Sequence, residues 1–155
     1  MTDALAVDRP TRRLGTYMAV GYAVQFCAHL VGIGIRHGFR IELLHPFFFA
    51  AAMAMRAGRV WGRSVLLVVN GFLLVVGVAV GLFATSRSTA FVPLVLFAIA
   101  VSGLTIAAVD FTIPERPPLI RLPESWRPWA TSSWAHLIVL ISMLLAAFQP
   151  QQPFS

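Results

Sequence analysis

Two histidines that lie in apolar stretches, His29 and His45, are the residues of this sequence whose type and spacing best suit chemistry. An ionisable residue inside a bilayer is costly to bury and is therefore a functional hypothesis by default. If the first apolar run crosses a membrane and the second returns, the two side chains lie at similar depths, about 9 and 6 Å below the same surface. Such a pair could ligate a haem or another tetrapyrrole, or hold a quinone headgroup by hydrogen bonds.

A purely structural interpretation of the same residues stands beside the first. His29 would hydrogen-bond to a neighbouring helix, and His45 would cap the start of the second helix at the lipid headgroups. His45 also lies nearer the surface than the ligands of a typical membrane haem. The histidine spacings fit no zinc pattern, and Cys27 is the only cysteine, so a cysteine-based metal cage is excluded.

No catalytic set is visible in the sequence. Asp110, at the end of the fourth apolar run, could act in a proton relay, but an acid at that border, near Arg116, is more typical of a solvated ion pair. Neither a nucleophile with its base, nor a P-loop, nor a dinucleotide fingerprint is present. The sequence therefore favours a protein that is not an enzyme.

The elements that position these residues are predicted by composition. Of the 155 residues, 58% are hydrophobic and 12% are charged, whereas an average soluble domain has about 25% charged residues. The mean hydropathy is +0.79. The net charge is +6. The charged residues flank the apolar runs and form no basic face, which argues against a nucleic-acid partner. We expect an all-α integral membrane bundle, with residues 1–155 as one domain.

Apolar runs of membrane-spanning length indicate about five transmembrane helices. A proline-rich cytoplasmic loop covers 111–130, and its proline density predicts no regular helix there. In a four-span alternative the last run lies on the membrane surface. The predicted spans are 14–35, 41–61, 64–84, 90–110 and 131–149.

The arginines predict the orientation, because short cytoplasmic loops carry an excess of positive charge. With the N-terminus in the cytoplasm, nine arginines lie inside and three lie outside. The inside set is Arg9, Arg12, Arg13, Arg56, Arg59, Arg63, Arg116, Arg121 and Arg127; the outside set is Arg36, Arg40 and Arg87. All twelve basic residues are arginine, which hints at a GC-rich genome and carries no functional weight. We expect the protein in a bacterial inner membrane.

Small and weakly polar residues predict how the third and fourth helices pack. A GxxxG motif on the third helix allows close approach of a neighbour, and an asparagine on the same stripe is expected to hydrogen-bond across. The predicted packing residues are Asn70, Gly77 and Gly81 on the third helix and Ala98, Ser102 and Thr105 on the fourth.

Arginines and tryptophans predict contacts with lipid or with a partner protein. Three arginines and a tryptophan in the turn 56–63 are suited to anionic lipid headgroups, with docking onto an acidic partner as the alternative. The predicted contact residues are Arg56, Arg59, Trp61, Arg63, Trp126, Trp129 and Trp134.

Two function classes lead on these observations. The first is a non-catalytic accessory, assembly or structural subunit of a larger membrane complex, with the bilayer and other membrane subunits as partners. The second is a redox subunit that binds haem, pigment or quinone through His29 and His45. A third alternative, a transporter or channel, requires a homo-oligomer, because one copy has too few polar residues to line a pore.

Overall fold

The computed structural model of this chain describes residues 7–36, 44–83, 91–112 and 122–147. These residues form helices joined by turns, with no strand among them, which confirms the all-α prediction. The helices are α1 (Arg9–Arg36), α2 (Leu44–Arg56), α3 (Val60–Phe83), α4 (Phe91–Asp110), α5 (Arg127–Ala130) and α6 (Ser133–Ala147), and a 3-10 turn, Glu124–Trp126, precedes α5.

Two of the described helical segments, Arg9–Val31 and Val60–Ala79, are long and apolar enough to cross a membrane. A third candidate is formed by Glu124–Ala130 together with Ser133–Ala147, two segments that meet at a bend of 65°. Val95–Asp110 is apolar but shorter. The structure therefore supports two spans, or three if the bent pair counts as one.

The long helices close into a ring. α1 packs against α2 and α6, α2 packs against α3, and α3 packs against α4, which returns to contact both α6 and α1. Buried apolar side chains from all of them fill the centre, among them Leu14, Met18, Met55, Leu66, Val109 and Val139. Large apolar side chains also remain exposed on the outside of each long helix, including Val20, Phe47, Phe72, Leu96 and Ile138.

At one end of the ring, α1, α3 and α6 begin while α2 and α4 end. Gly15 of α1 contacts Arg56 at the end of α2, and Arg63 of α3 contacts Asp110 at the end of α4. Arg13 of α1 contacts Ser133 at the start of α6. We call this the tryptophan end, because the tryptophans described below lie there.

The turn between α2 and α3 comes earlier in the sequence than the predicted span 41–61 implies. α2 ends at Arg56, Gly58 adopts a φ of 75°, and α3 begins at Val60. The N–H groups that follow α2 bond back to carbonyls of its last turn, as in a helix end capped by a left-handed glycine. The expectation that the second helix continues through Trp61 is therefore wrong, and Trp61 belongs to α3.

Two glycines allow the helices beside this turn to approach closely. A Cβ atom at Gly62 would lie 2.3 Å from the carbonyl oxygen of Ala51 on α2. A Cβ atom at Gly15 would lie 2.8 Å from the backbone nitrogen of Arg56. A side chain at either position would therefore push α2 away from its neighbour.

The predicted loop 111–130 is helical in its second part. Residues 113–121 lie outside the described residues, but Glu124–Trp126 forms a 3-10 turn and Arg127–Ala130 forms α5. Proline breaks a helix by removing an N–H donor from its interior. Pro128 stands in the first turn of α5, where no intrahelical N–H bond is needed, and so the expectation of no regular helix is wrong there.

Candidate functional site

The most deeply buried charges of the bundle are Arg63 and Asp110. An Nη2–Oδ1 distance of 3.1 Å joins them, and their side chains are 1% and 0% exposed. Arg63 also donates to the backbone carbonyl of Asp110. The prediction that Arg63 contacts lipid or a partner is therefore wrong, and the interpretation of Asp110 as a solvated acid is also wrong.

Helix geometry explains why Arg63 turns inward. It lies in the first turn of α3, and Asp110 is the last residue of α4. The carbonyl groups at a helix C-terminus carry a partial negative charge that attracts a cation. The carboxylate of Asp110 adds a full charge at the same point, so that the guanidinium is neutralised where it enters the core.

A second polar cluster joins α1 to the start of α6. The Arg13 Nε donates to Nδ1 of His136 at 3.2 Å, and its Nη2 donates to the Thr131 carbonyl at 3.0 Å. Its Nη1 donates to Ser133 Oγ. Because Nδ1 of His136 accepts a hydrogen bond, the ring proton lies on Nε2 and the imidazole is neutral.

Sequence reasoning missed this cluster. Arg13 was expected only as a loop charge that sets the orientation, and His136 was not singled out. The signal for His136 is its position within the fifth apolar run, where an ionisable residue is a functional hypothesis by default. The structure buries His136 completely.

Polar side chains in the middle of the bundle also bond to helices. Gln25 Nε2 donates to the Met143 carbonyl of α6 at 2.9 Å. Asn70 Nδ2 donates to the Leu66 carbonyl of its own helix at 2.8 Å. This bond lies within α3, whereas the sequence had predicted a bond toward the fourth helix.

The predicted close approach of the third and fourth helices is present at the glycines but uses different partners. Cβ atoms at Gly77 and Gly81 would lie 3.4 Å from Ile99 and 2.9 Å from Val95, respectively. Ala98 is exposed and so lies off this contact, because the helix turns Val95 and Ile99 toward α3 instead.

Ser102 and Thr105, the other two predicted packing residues of the fourth helix, are buried. Thr105 Oγ1 donates to the Val101 carbonyl of its own helix at 2.8 Å. Its hydroxyl is therefore satisfied without a neighbour, which lets a polar side chain lie in the core at little cost.

His29 and His45 lie next to each other, as their similar predicted depths in the membrane suggest. Their ring centroids are 5.8 Å apart and the ring planes are inclined by 35°. Both side chains are half-buried. No group of three or more His, Cys, Asp or Glu residues that could hold a metal ion occurs in the part of the chain that the structure describes.

All four tryptophans of the chain lie at the tryptophan end and are exposed. Trp134 is 76% exposed, and the other three, Trp61, Trp126 and Trp129, are about half exposed. Arg56 and Arg59 are exposed beside Trp61. Of the seven predicted lipid or partner contacts, Arg63 alone is therefore removed from the surface.

Comparison with known proteins identifies no relative of this chain. No family model, no curated protein and no solved structure matches the chain.

Proposed function

We propose that the chain is a multi-pass membrane protein that serves as a non-catalytic accessory, assembly or structural subunit of a larger membrane complex. In this proposal its N-terminus is cytoplasmic and its five apolar runs cross a bacterial inner membrane. Its partners are the bilayer and other membrane subunits.

The observation that carries the proposal is that buried and half-buried polar side chains bond to neighbouring helices of the same bundle. Arg63 bonds to the end of α4, and Arg13 bonds to the start of α6. Gln25 bonds to the α6 backbone. These groups hold helices in fixed positions, as expected of a scaffold, because the strongest polar interactions are directed within the bundle.

The outer surface supports the same proposal. The outward stripe of α3 consists of Val68, Phe72, Val75 and Leu82, each about two-thirds or more exposed. These positions recur at the spacing of one helix face. A wide apolar face on a membrane helix is suited to another transmembrane helix as well as to lipid.

A pull-down of the tagged protein from its native membrane in mild detergent tests the proposal. We expect a reproducible set of partner chains in fixed ratio. Photo-crosslinking sharpens the result: a crosslinking residue at Phe72, on the outward stripe, should reach a partner, whereas one at buried Leu66 of the same helix should not. Recovery of the chain alone, or only with itself, would overturn the proposal.

A redox or pigment-binding subunit is the second candidate, and the contact between the His29 and His45 rings favours it. The ring centroids lie 5.8 Å apart, so both side chains could reach one bound group. His29 and His45 would hold the metal of a haem or another tetrapyrrole, which would supply redox or light-absorbing chemistry. A quinone headgroup could instead accept a hydrogen bond from either ring.

The absorption spectrum of the protein purified from its native membrane tests this candidate. If a haem or pigment is bound, His29→Ala should lose the visible bands, whereas His136→Gln, a change at a histidine that contacts Arg13, should keep them. A colourless wild-type protein that also carries no extractable quinone would exclude the candidate.

A further inference from the structure

We propose that the tryptophan end carries a binding surface for anionic lipid headgroups. Its cationic part, the arginine patch, consists of Arg9, Arg12, Arg56 and Arg59, all of which are exposed. This inference concerns lipid recognition by the chain itself and does not depend on a partner subunit.

The arginine patch is one continuous surface. Arg9 and Arg12 lie on the first turns of α1, and Arg56 and Arg59 flank the turn at Gly58. Gly58 faces the side chain of Val7, just before α1, since a Cβ atom on that glycine would lie 2.8 Å from Val7 Cγ2. The start of α1 is therefore seated on the turn between α2 and α3.

The four arginines of this patch have no ion-pair partner among the residues that the structure describes. By contrast, Arg63 is neutralised by Asp110, and Arg127 lies 3.4 Å from Glu124. Several basic side chains close to a membrane surface attract anionic lipids.

Exposed indoles identify a bilayer as the source of the negative charge. Trp61, Trp126, Trp129 and Trp134 are all exposed at the same end as the patch. Indole rings favour the headgroup region because they combine an apolar body with an N–H donor. Guanidinium groups bind phosphates, and indoles contact both headgroups and acyl chains. Their presence at the same end of the bundle therefore suits the surface of a lipid bilayer.

The test uses the tryptophans as local probes, since all four lie at this end. The full chain is reconstituted in phosphatidylcholine vesicles that contain either brominated phosphatidylglycerol or brominated phosphatidylcholine, because bromine quenches tryptophan fluorescence on contact. We expect the anionic lipid to quench more strongly at the same mole fraction. We also expect this preference to weaken at high salt, because salt screens exposed charges.

The variant Arg56→Gln/Arg59→Gln tests the origin of the preference. Each arginine removed should lower the relative affinity for phosphatidylglycerol by about fivefold, so the double variant should lose about 25-fold of that affinity and keep the part that Arg9 and Arg12 contribute. Arg56→Lys/Arg59→Lys keeps the charge and should keep most of the preference. Arg127→Gln is the matched control: this arginine is exposed at the same end but already paired with Glu124, and its loss should change little.

Either of two results would overturn the inference. The first is equal quenching of the wild-type protein by both brominated lipids. The second is an undiminished preference for phosphatidylglycerol in the double glutamine variant when the lysine variant confirms that substitution leaves the bundle folded. Neither result depends on whether the chain co-purifies with other subunits.

Discussion

At the residue scale, the Arg63–Asp110 pair is the part of the bundle that tolerates change least. Two charges withdrawn from water are compatible with stability only when each neutralises the other with good geometry. The pair meets this condition in part, through a contact of 3.1 Å and an additional bond to the Asp110 carbonyl, while Nε of Arg63 is buried without a hydrogen-bond partner among the described residues. It also explains why an arginine can occupy the first turn of a helix whose next inward residues, Leu66 and Leu67, are apolar.

Arg63→Met should therefore lower the free energy of unfolding by about 3–5 kcal/mol, because it leaves the Asp110 carboxylate buried without this cation. SDS-induced unfolding in mixed micelles measures the change. Arg59→Met, four residues earlier in the exposed turn before α3, is the control and should stay within about 0.5 kcal/mol of the wild type. Equal losses in the two variants would show that the pair contributes nothing specific.

The double variant Arg63→Met/Asp110→Asn gives a sharper result. Because it removes both charges, its loss should be smaller than the sum of the losses of the two single variants. A double-mutant cycle in the same unfolding assay measures the coupling. Strict additivity would contradict a direct interaction between the two side chains.

Arg13 and Arg12 form a second matched pair, because they are neighbours in sequence with different environments. Arg13 donates to three groups at the start of α6, whereas Arg12 is exposed. Arg13→Met should cost about 2 kcal/mol of unfolding free energy, since hydrogen bonds from a charged donor are the stronger class. Arg12→Met should be nearly neutral. Thermal unfolding in detergent distinguishes them, and similar melting temperatures would contradict the assigned role.

At the element scale, the close crossing of α2 and α3 is set by Gly62. An added Cβ atom would lie 2.3 Å from the Ala51 carbonyl oxygen, and backbone cannot move aside as a flexible side chain can. Gly62→Ala should therefore destabilise the protein by about 1–3 kcal/mol, as overpacking generally does.

Gly71 on the same helix is the control for that change, because a Cβ atom there meets nothing within 4 Å. Gly71→Ala should stabilise α3 by roughly 0.5–1 kcal/mol through the higher helix propensity of alanine. Opposite signs for the two substitutions, measured by unfolding in mixed micelles, are the expected outcome. If both stabilised the protein, the crossing at Gly62 would have to be wider than the structure places it.

Helix type was predictable from the sequence, but helix ends and facing sides were not. Long apolar runs require helices in any membrane, since every backbone polar group must be satisfied internally. The end of α2 at Arg56 depends on Gly58 in a left-handed conformation, and glycine alone does not show which conformation it adopts. The helicity of Glu124–Ala130 depends on where Pro128 falls within a turn, which proline density cannot reveal.

Some placements of the site residues were also predictable from the sequence, and others were not. The depths of His29 and His45 follow from counting residues along helices, and the structure brings their rings together. Whether Arg63 points inward depends on a carboxylate 47 positions away, and no local pattern around Arg63 contains that information. Ala98 was placed one position off the contact that Ile99 makes, since small residues alone do not fix the rotation of a helix.

At the scale of the whole molecule, the number of membrane crossings decides where the C-terminus lies. Five spans put Ser155 on the opposite side from the N-terminus, whereas four spans put both on the same side. A reporter fused after Ser155 should be active outside the cytoplasm if the proposed five-span topology holds. The same reporter fused before Arg9 is the control and should report a cytoplasmic location. A cytoplasmic signal from the C-terminal fusion would contradict the fifth span.

The buried ion pair also imposes an order of events during synthesis. Arg63 leaves the ribosome 47 residues before Asp110, which at about 5–20 residues per second is a delay of roughly 2–9 s. During that interval α3 has a cation at its inner face and no carboxylate to meet it. A nascent chain that stops short of Asp110 therefore holds an uncompensated charge until α4 packs against α3.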